Sequence, residues 1–393
     1  MNPPKHMKDL HQEIIVDILT RLPTKSIGRF RCVSKKWKSL LSQPHFIKTQ
    51  LNRTKHLPRE EESLILFSDE SESLYSTQLK NADSLSEEIT ASASKFCLDD
   101  HRFDSETFYR NMASCDGLIL VKDEEDKLVL ANPTTKETKV LPCSPYALDP
   151  RASFTMYGLG YDSVSDDYKV VTISYHDAVT VLADEEADDS EDETDCTEMY
   201  VNVYSVRHGN WKRAESSPYD HAVGHHASGV CVDGYIYWLA SISSDFSSVI
   251  AAFDLGEEVF SEVPPPSSVD CKEFVFYQLV ALEGYLCMFS PNRDSEIDFW
   301  VMKEYDVEES WTKVTIINPA ESEFRPLCML GKEQLVMMKD EETIAEKLVM
   351  YNMKEGTFKD IVVHGISDQF SIGGTFIESL LSPHCSNEDT SEG

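Results

Sequence analysis

The chain has 393 residues, 41% of them hydrophobic, enough for a substantial core and for more than one folding unit. It carries 69 acidic against 36 basic side chains, yet residues 1–56 hold 12 Lys and Arg against 3 Asp and Glu, which leaves 24 against 66 in the remainder. An acidic body repels nucleic-acid phosphates and anionic membrane, so neither is expected as a partner; no apolar run approaches the roughly 20 residues of a membrane span, and the charged, helical first 25 residues do not read as a leader.

Residues 10–46, LHQEIIVDILTRLPTKSIGRFRCVSKKWKSLLSQPHF, have a helical pattern. Leu10, Ile14, Ile18 and Leu22 recur every fourth residue and stack as one apolar stripe, widened by Ile15 and Leu19. Pro23 ends that helix, because its ring clashes with a continuing turn and it has no N–H to donate. Thr24 and Ser34 stand at N-cap positions ahead of a second helix over about 25–32 and a third over about 35–42. These carry Phe30, Val33, Trp37, Leu40 and Leu41. A segment of about 40 residues is at the limit of independent folding, yet this one holds many large apolar groups. The pattern fits either a helical subdomain packed on the body or a module gripped by a partner.

RLPTKSIGRFRCVSKKWKSLLSQPHF resembles the F-box of plant F-box proteins, matching the runs R-L-P-x-K-S, R-F-x-C-V-[CS]-K-x-W and L-[IL]-S-x-P-x-F. The resemblance implies docking on a Skp-family adaptor and through it on a cullin, within a ubiquitin ligase. The implied contacts are Leu10, Ile14, Ile18, Leu22, Pro23, Phe30, Val33, Trp37, Leu40 and Leu41. A basic F-box suits the acidic adaptor of that family. The family usually opens Leu-Pro where this chain has Leu10-His11; proline there presets φ for the first turn, so its loss is expected to weaken adaptor binding somewhat.

After residue 60 the period changes. Strand–turn–strand units appear at 112–121, 229–240 and 278–290, around Asp116-Gly117, Asp233-Gly234 and Glu283-Gly284, with degenerate copies at 157–173 and 327–338. Asp-Gly between apolar runs signals a hairpin, since glycine tolerates the positive φ of a type I′ turn. Third strands follow at 128–132, 200–206, 249–255, 299–307 and 348–353, and fourth strands at 138–142, 210–214, 259–264, 310–317 and 357–363. Gly234, Gly284 and Gly331 are spaced 50 and 47 residues apart. Four-stranded units at a period near 50 have the kelch-like signature of a β-propeller, the alternative being a β-sandwich with long loops.

The fold class expected is therefore mainly β with a small α module: a three-helix F-box followed by a six-bladed kelch-like β-propeller closed by the C-terminal strand. The sixth blade is expected to join 63–67, 74–79 and 95–98 to a closing strand at 376–381. The expected domains are a disordered 1–7, the F-box at 8–52, a linker at 53–62, the propeller at 63–383 and a disordered tail at 384–393. An insertion at 183–198, with ten carboxylates, also reads as disordered. SCDGLILV, LANPTTKETKVLP, GLGYDSVSDDYKVV, WVMKEYDVEESWTKV and FIESLLSP resemble the F-box-associated domain of plant F-box proteins, a family that includes receptors controlling immune-receptor turnover and S-locus receptors of self-incompatibility.

The connections from strand 2 to 3, and from strand 4 to the next strand 1, share one face of a propeller. Here the former are acidic, at 68–73, 122–127, 243–248, 292–298 and 339–346. Binding residues concentrate on loops held by a rigid frame. The 4–1 connections supply aromatic, histidine and arginine candidates for substrate contact: Tyr146, Phe154, Tyr219, His221, His225, His226, Phe274, Phe324 and Arg325. The acidic loops read either as solvated turns or as a field attracting a basic partner. His221, His225 and His226 have no Cys partner at finger spacing, so no metal is expected. Nor is a cofactor, and the enzyme motifs G-x-S-x-G, P-loop and H-E-x-x-H are absent.

The ten cysteines form no C-x-x-C pair and no framework spacing, and several, such as Cys231 and Cys287, lie in apolar strands. They read as reduced core residues of a cytoplasmic or nuclear protein. The resemblance implies a non-catalytic substrate receptor of a Skp–cullin–F-box ubiquitin ligase that recruits a protein substrate for degradation; the acidic 2–3 connections, not the resemblance, lead us to expect a basic surface on that substrate. A scaffold that binds the adaptor without delivering a substrate, and a propeller enzyme, are the alternatives.

Overall fold

The computed structural model describes residues 12–384, apart from 57–60, 82–87, 99–100, 104–111, 147, 149–152, 177–198, 222–227, 243–246, 270–276, 291–295, 318–321, 341–345 and 368. The expected 183–198 insertion, residues 1–7 and most of the expected tail therefore lie outside the described residues.

Four helices open the described chain: α1 (Gln12–Leu19), α2 (Thr24–Arg31), α3 (Lys35–Leu41) and α4 (Pro44–His56). The fourth was not expected as a helix; it continues past the F-box match into the stretch read as a linker. Pro44 suits its first turn, where a missing N–H costs no hydrogen bond. Ser34 does cap α3, its Oγ accepting from the Trp37 N–H at 3.2 Å. Thr24 does not cap α2. Pro23 occupies that position without a side-chain cap, and the Thr24 hydroxyl donates to the Glu378 carbonyl at 3.0 Å instead.

Four separate four-stranded sheets follow, each an antiparallel meander. They are β4 (Ala113–Cys115), β5 (Leu118–Lys122), β6 (Leu128–Asn132) and β7 (Glu137–Val140); β8 (Ser153–Asp162), β9 (Asp167–His176), β10 (Tyr200–Ser205) and β11 (Asn210–Arg213); β12 (Val230–Val232), β13 (Tyr235–Ser241), β14 (Ser248–Asp254) and β15 (Phe260–Val263); and β16 (Gln278–Leu282), β17 (Tyr285–Phe289), β18 (Glu296–Met302) and β19 (Trp311–Ile317). The expectation of six blades is corrected here: among the described residues there are four, and the remaining eight strands form one continuous sheet. One half of that sheet is β20 (Glu323–Leu330), β21 (Gln334–Asp340), β22 (Glu346–Asn352) and β23 (Thr357–His364). The other is β24 (Ser371–Phe376), β1 (Glu61–Ser68), β2 (Ser73–Lys80) and β3 (Ile89–Phe96). Parallel pairing of β23 with β3, from Ile361 opposite Ile89 to His364 opposite Ser92, fuses the halves. It satisfies backbone groups that two outer edges would otherwise leave unpaired.

The chain ends do meet in one sheet, but the closing strand is β24 rather than 376–381. Ser63 lies opposite Phe376 and Phe67 opposite Ser371, with an irregularity between Ile65 and Leu66. The SIGGTF sequence of β24 lacks an apolar run, and Gly374 at φ +148° gives it little strand character of its own. Pairing with β1, buried from Glu62 to Ser68, overrides that local weakness.

The hairpin turns are as the sequence dictates. Asp116 and Gly117 have φ of 54° and 89°, Asp233 and Gly234 48° and 84°, and Glu283 and Gly284 52° and 80°, the two positive values that a type I′ turn demands. The core lies between sheets. Leu118, Leu120 and Leu130 pack on Leu159, Val170 and Tyr204; Val171, Ile173 and Val201 pack on Ile236 and Phe253; Leu64, Leu66 and Leu79 pack on Val336, Met338 and Leu348 within the eight-stranded sheet. One buried cation also joins neighbouring sheets. The Lys169 ammonium lies 2.9 Å from Asp162, 2.8 Å from Glu258 and 2.6 Å from the Leu255 carbonyl, so its burial is fully compensated.

Candidate functional site

The helices enclose a small core of their own. Leu19, Ile27, Leu41 and Phe46 are buried, and Ile15, Val16, Leu22, Phe30, Trp37, Leu40 and Ile47 close around them. Phe30 and Trp37 meet with ring centroids 5.3 Å apart. The fifth buried member is Leu380, from the far end of the chain. On the outer surface, Ile14 and Ile18 are about half exposed and Val33 is 66% exposed. These three large apolar groups are turned away from the helices' own core, and such an arrangement is costly to leave in water without a partner.

The candidate adaptor contacts thus separate. Ile14, Ile18, Val33 and Pro23 are exposed; Leu22, Phe30, Trp37 and Leu40 are half-buried and present edges. Leu41 is corrected: at 0% exposure it belongs to the helical core and has no surface to offer. Leu10 and His11 lie outside the described residues.

The helices stand on one particular face. Lys55 of α4 is 2.7 Å from Asp116 in the β4–β5 turn, and Lys48 is 2.6 Å from Asp166 in the β8–β9 turn. Both are turns from a first to a second strand. Because antiparallel strands alternate in direction, the acidic second-to-third connections emerge at the opposite end of each sheet. The segment following β24 lies between helices and sheets. Beyond the Thr24 bond, Lys25 is 2.8 Å from the Glu378 carboxylate. Asn132 Nδ2 donates to the carbonyls of Ser379 at 3.2 Å and Leu381 at 2.8 Å.

A family model for the F-box domain matches residues 7–49, and one for the F-box associated β-propeller domain matches residues 62–385. The chain belongs to this F-box-associated propeller family. F-box protein CPR1 of Arabidopsis thaliana is 30% identical over 386 residues, covering 93% of this chain and 87% of that one. An F-box/kelch-repeat protein of the same plant is 28% identical over 382 residues, covering 96% of each. Among solved structures, TolB from Acinetobacter baumannii aligns with a TM-score of 0.45 at 8% identity, over 80% of this chain and 65% of that one.

The residues proposed for substrate contact are scattered by the structure. Tyr146, in the connection from β7 to β8, is 44% exposed, as an interface anchor would be. Tyr219 is half-buried, its ring edge-on to Phe260 at 6.5 Å. His221 is corrected. It has 0% exposure, its Nε2 is 2.7 Å from Ser217 Oγ, and it packs against Trp238 and Phe260. Burial pushes its pKa down to about 3, so the imidazole is neutral and structural.

Phe324 is corrected too, and the loop placement of Arg325 with it. They lie in β20, not in a loop; Phe324 is 3% exposed and stacks on Phe358 at 5.2 Å. Arg325 lines a cavity of about 180 Å³ together with Ala113, Val230, Val280 and Gly374, each from the first strand of its unit. Phe154 is in β8, opposite Tyr175. His225, His226 and Phe274 lie outside the described residues. Among the described residues no group of three His, Cys, Asp or Glu side chains is placed to hold a metal ion, and no helix is long and apolar enough to cross a membrane.

The acidic connection 122–127 is less of a field than its composition suggests. Asp123 is buried, accepting from the backbone N–H of Glu125 at 3.0 Å and Lys127 at 2.9 Å, and lies 2.8 Å from His101 Nδ1. Asp126 pairs with Lys122, and Glu125 with Lys127. Asp69, Glu70 and Glu72, in the β1–β2 connection, are exposed.

Sequence reasoning missed Lys48, Lys55, Asn132 and Leu380, which join helices to sheets. Asn132 looked like a turn residue, which it also is, its Oδ1 accepting from the Thr134 N–H at 2.8 Å. No local signal marks a partner some 250 residues away.

Proposed function

We propose that this chain is the substrate receptor of a Skp–cullin–F-box ubiquitin ligase. The observation that carries the reading is the outer face of the helical module. Ile14, Ile18 and Val33 remain exposed while the opposite side of the same helices is fixed to the propeller. A Skp-family adaptor on that face would bury them at about 25 cal/mol per Å² of apolar surface. Neither matching family model describes a catalytic domain. The receptor's part is to raise the effective concentration of a substrate lysine near the ubiquitin donor, with no bond chemistry and no cofactor of its own. We place its work in the cytoplasm or nucleus.

The substrate face, in this reading, is the one opposite the helices. It carries Tyr146 and the exposed carboxylates Asp69, Glu70 and Glu72. A protein with a basic surface is the complementary partner, since opposite charge accelerates encounter and an exposed aromatic supplies short-range binding.

Co-purification with a plant Skp adaptor and cullin tests the proposal. Native protein should capture both. Ile18→Asp should abolish capture with its melting temperature unchanged, because Ile18 supports no core. A native chain that captures no adaptor would remove the ligase reading.

A further inference from the structure

We propose that Ile377–Leu381 is a positioning element, anchored at Asn132 and Leu380, that sets the angle between the adaptor-binding helices and the propeller. The proposal rests on the ligase reading for its functional consequence, but the coupling itself is a matter of geometry.

The segment follows β24 without secondary structure of its own. An extended chain presents successive residues to opposite sides, and here each side meets a different module. Glu378 and Leu380 serve the helices: the Glu378 carbonyl accepts from Thr24, its carboxylate pairs with Lys25, and Leu380 enters the helical core at 5% exposure. Ile377, Ser379 and Leu381 serve the sheets. The Ile377 carbonyl and Ser379 Oγ lie against Gly117, Asn132 Nδ2 donates to Ser379 and Leu381, and the Leu381 side chain packs on the cluster around Leu118 and Tyr157. Ser379 is completely buried.

Of the two ion pairs between helices and turns among the described residues, Lys55–Asp116 has a buried carboxylate and adds to the seat, while the other is weak. The Lys48 pair is half exposed on both sides, so solvent and salt screen it. Relative motion of domains is the default where their interface is small and polar. The interleaved segment replaces that default with a fixed seat, and catalysis by proximity depends on such fixation.

The test uses the full chain, with a donor and acceptor fluorophore placed at Lys38 and Lys354 through non-natural amino acids. Asn132→Asp is the surgical variant. It keeps the Oδ1 that accepts from Thr134 and Thr135 but replaces the donor to Ser379 and Leu381 with an acceptor. The single-molecule transfer-efficiency distribution should widen about twofold as domain motion is released. Leu380→Ser should do the same, and Leu380→Met should restore the native width. In a reconstituted ligase, ubiquitin transfer to the receptor's own propeller lysines should fall about threefold in Asn132→Asp at unchanged adaptor affinity, as effective concentration is lost.

An unchanged efficiency distribution in both Asn132→Asp and Leu380→Ser would overturn the proposal, and so would transfer that falls only in proportion to adaptor affinity. Failure of the native chain to bind adaptor would instead overturn the ligase reading, and the fluorescence comparison would still decide the coupling.

Discussion

Gly117 and Ser379 are packed so closely that a Cβ on the glycine would lie 2.4 Å from the serine Oγ, and 2.3 Å from the Ile377 carbonyl oxygen. The β4–β5 hairpin turn thus serves as the floor on which the C-terminal segment rests. Gly117→Ala meets two penalties, the clash and a φ of +89°. A loss of roughly 2–4 kcal/mol is expected. Gly284→Ala has a comparable φ, +80°, but nothing within 4 Å, and should cost about 1–2 kcal/mol from strain alone. Urea denaturation of the two variants measures the difference; equal losses would mean that the contact with Ser379 carries nothing.

Two C-terminal truncations should behave differently. Removing residues 371–393 deletes β24, exposes the edge of β1 and should abolish cooperative unfolding of the propeller. Removing 377–393 spares β24 and takes away Leu380, so the propeller should melt cooperatively while the helices lose protection from amide exchange. Loss of the propeller transition in the shorter deletion would show that 377–381 supports the sheets as well.

His221 should make the protein acid-sensitive well above the carboxylate range. Its pKa falls from 6.5 to about 3 because burial disfavours the charged imidazole. Between those values the unfolded chain binds the extra proton, so stability declines as pH falls through that window. From pH 7 to pH 5 the cost is about 2 kcal/mol. His221→Gln should flatten the denaturation profile over that range; an unaltered slope would show that His221 is not the titrating group.

Asp162 acts lower on the scale. Burial raises its pKa, but the bonds from Ser165, Lys169 and the Val164 N–H outweigh this and hold it below 3.8. A depressed carboxylate contributes stability that is present above its unfolded pKa and lost as pH falls through the folded value. Asp162→Asn should therefore cost about 1.5–3 kcal/mol at pH 7 and narrow its deficit below pH 4. A deficit that stays constant with pH would assign the effect to packing.

Most of the helical module and the β repeat were legible because their signals are local. Fourfold spacing of Ile14, Ile18 and Leu22 describes one helix face, and an Asp-Gly pair between apolar runs describes a two-residue turn. The site was less legible. Phe324 and His221 looked like loop anchors because polar or charged neighbours surround them in sequence, whereas strand pairing and sheet packing buried both. Leu41 fits the helical pattern on either face, and the packing of Leu19, Ile27, Phe46 and Leu380 around it puts it on the inner one.

The sequence by itself determined the F-box match, the strand–turn repeat and the charge contrast between the two parts of the chain, since each resides in neighbouring residues. Tertiary structure decided the rest. It decided that β23 pairs with β3, that weak β24 rather than 376–381 closes against β1, and that the freed segment fastens the helices to one face. Those outcomes depend on backbone groups and side chains hundreds of residues apart. They are selected by which edges and apolar surfaces remain unpaired once the sheets have formed, and no local pattern encodes that.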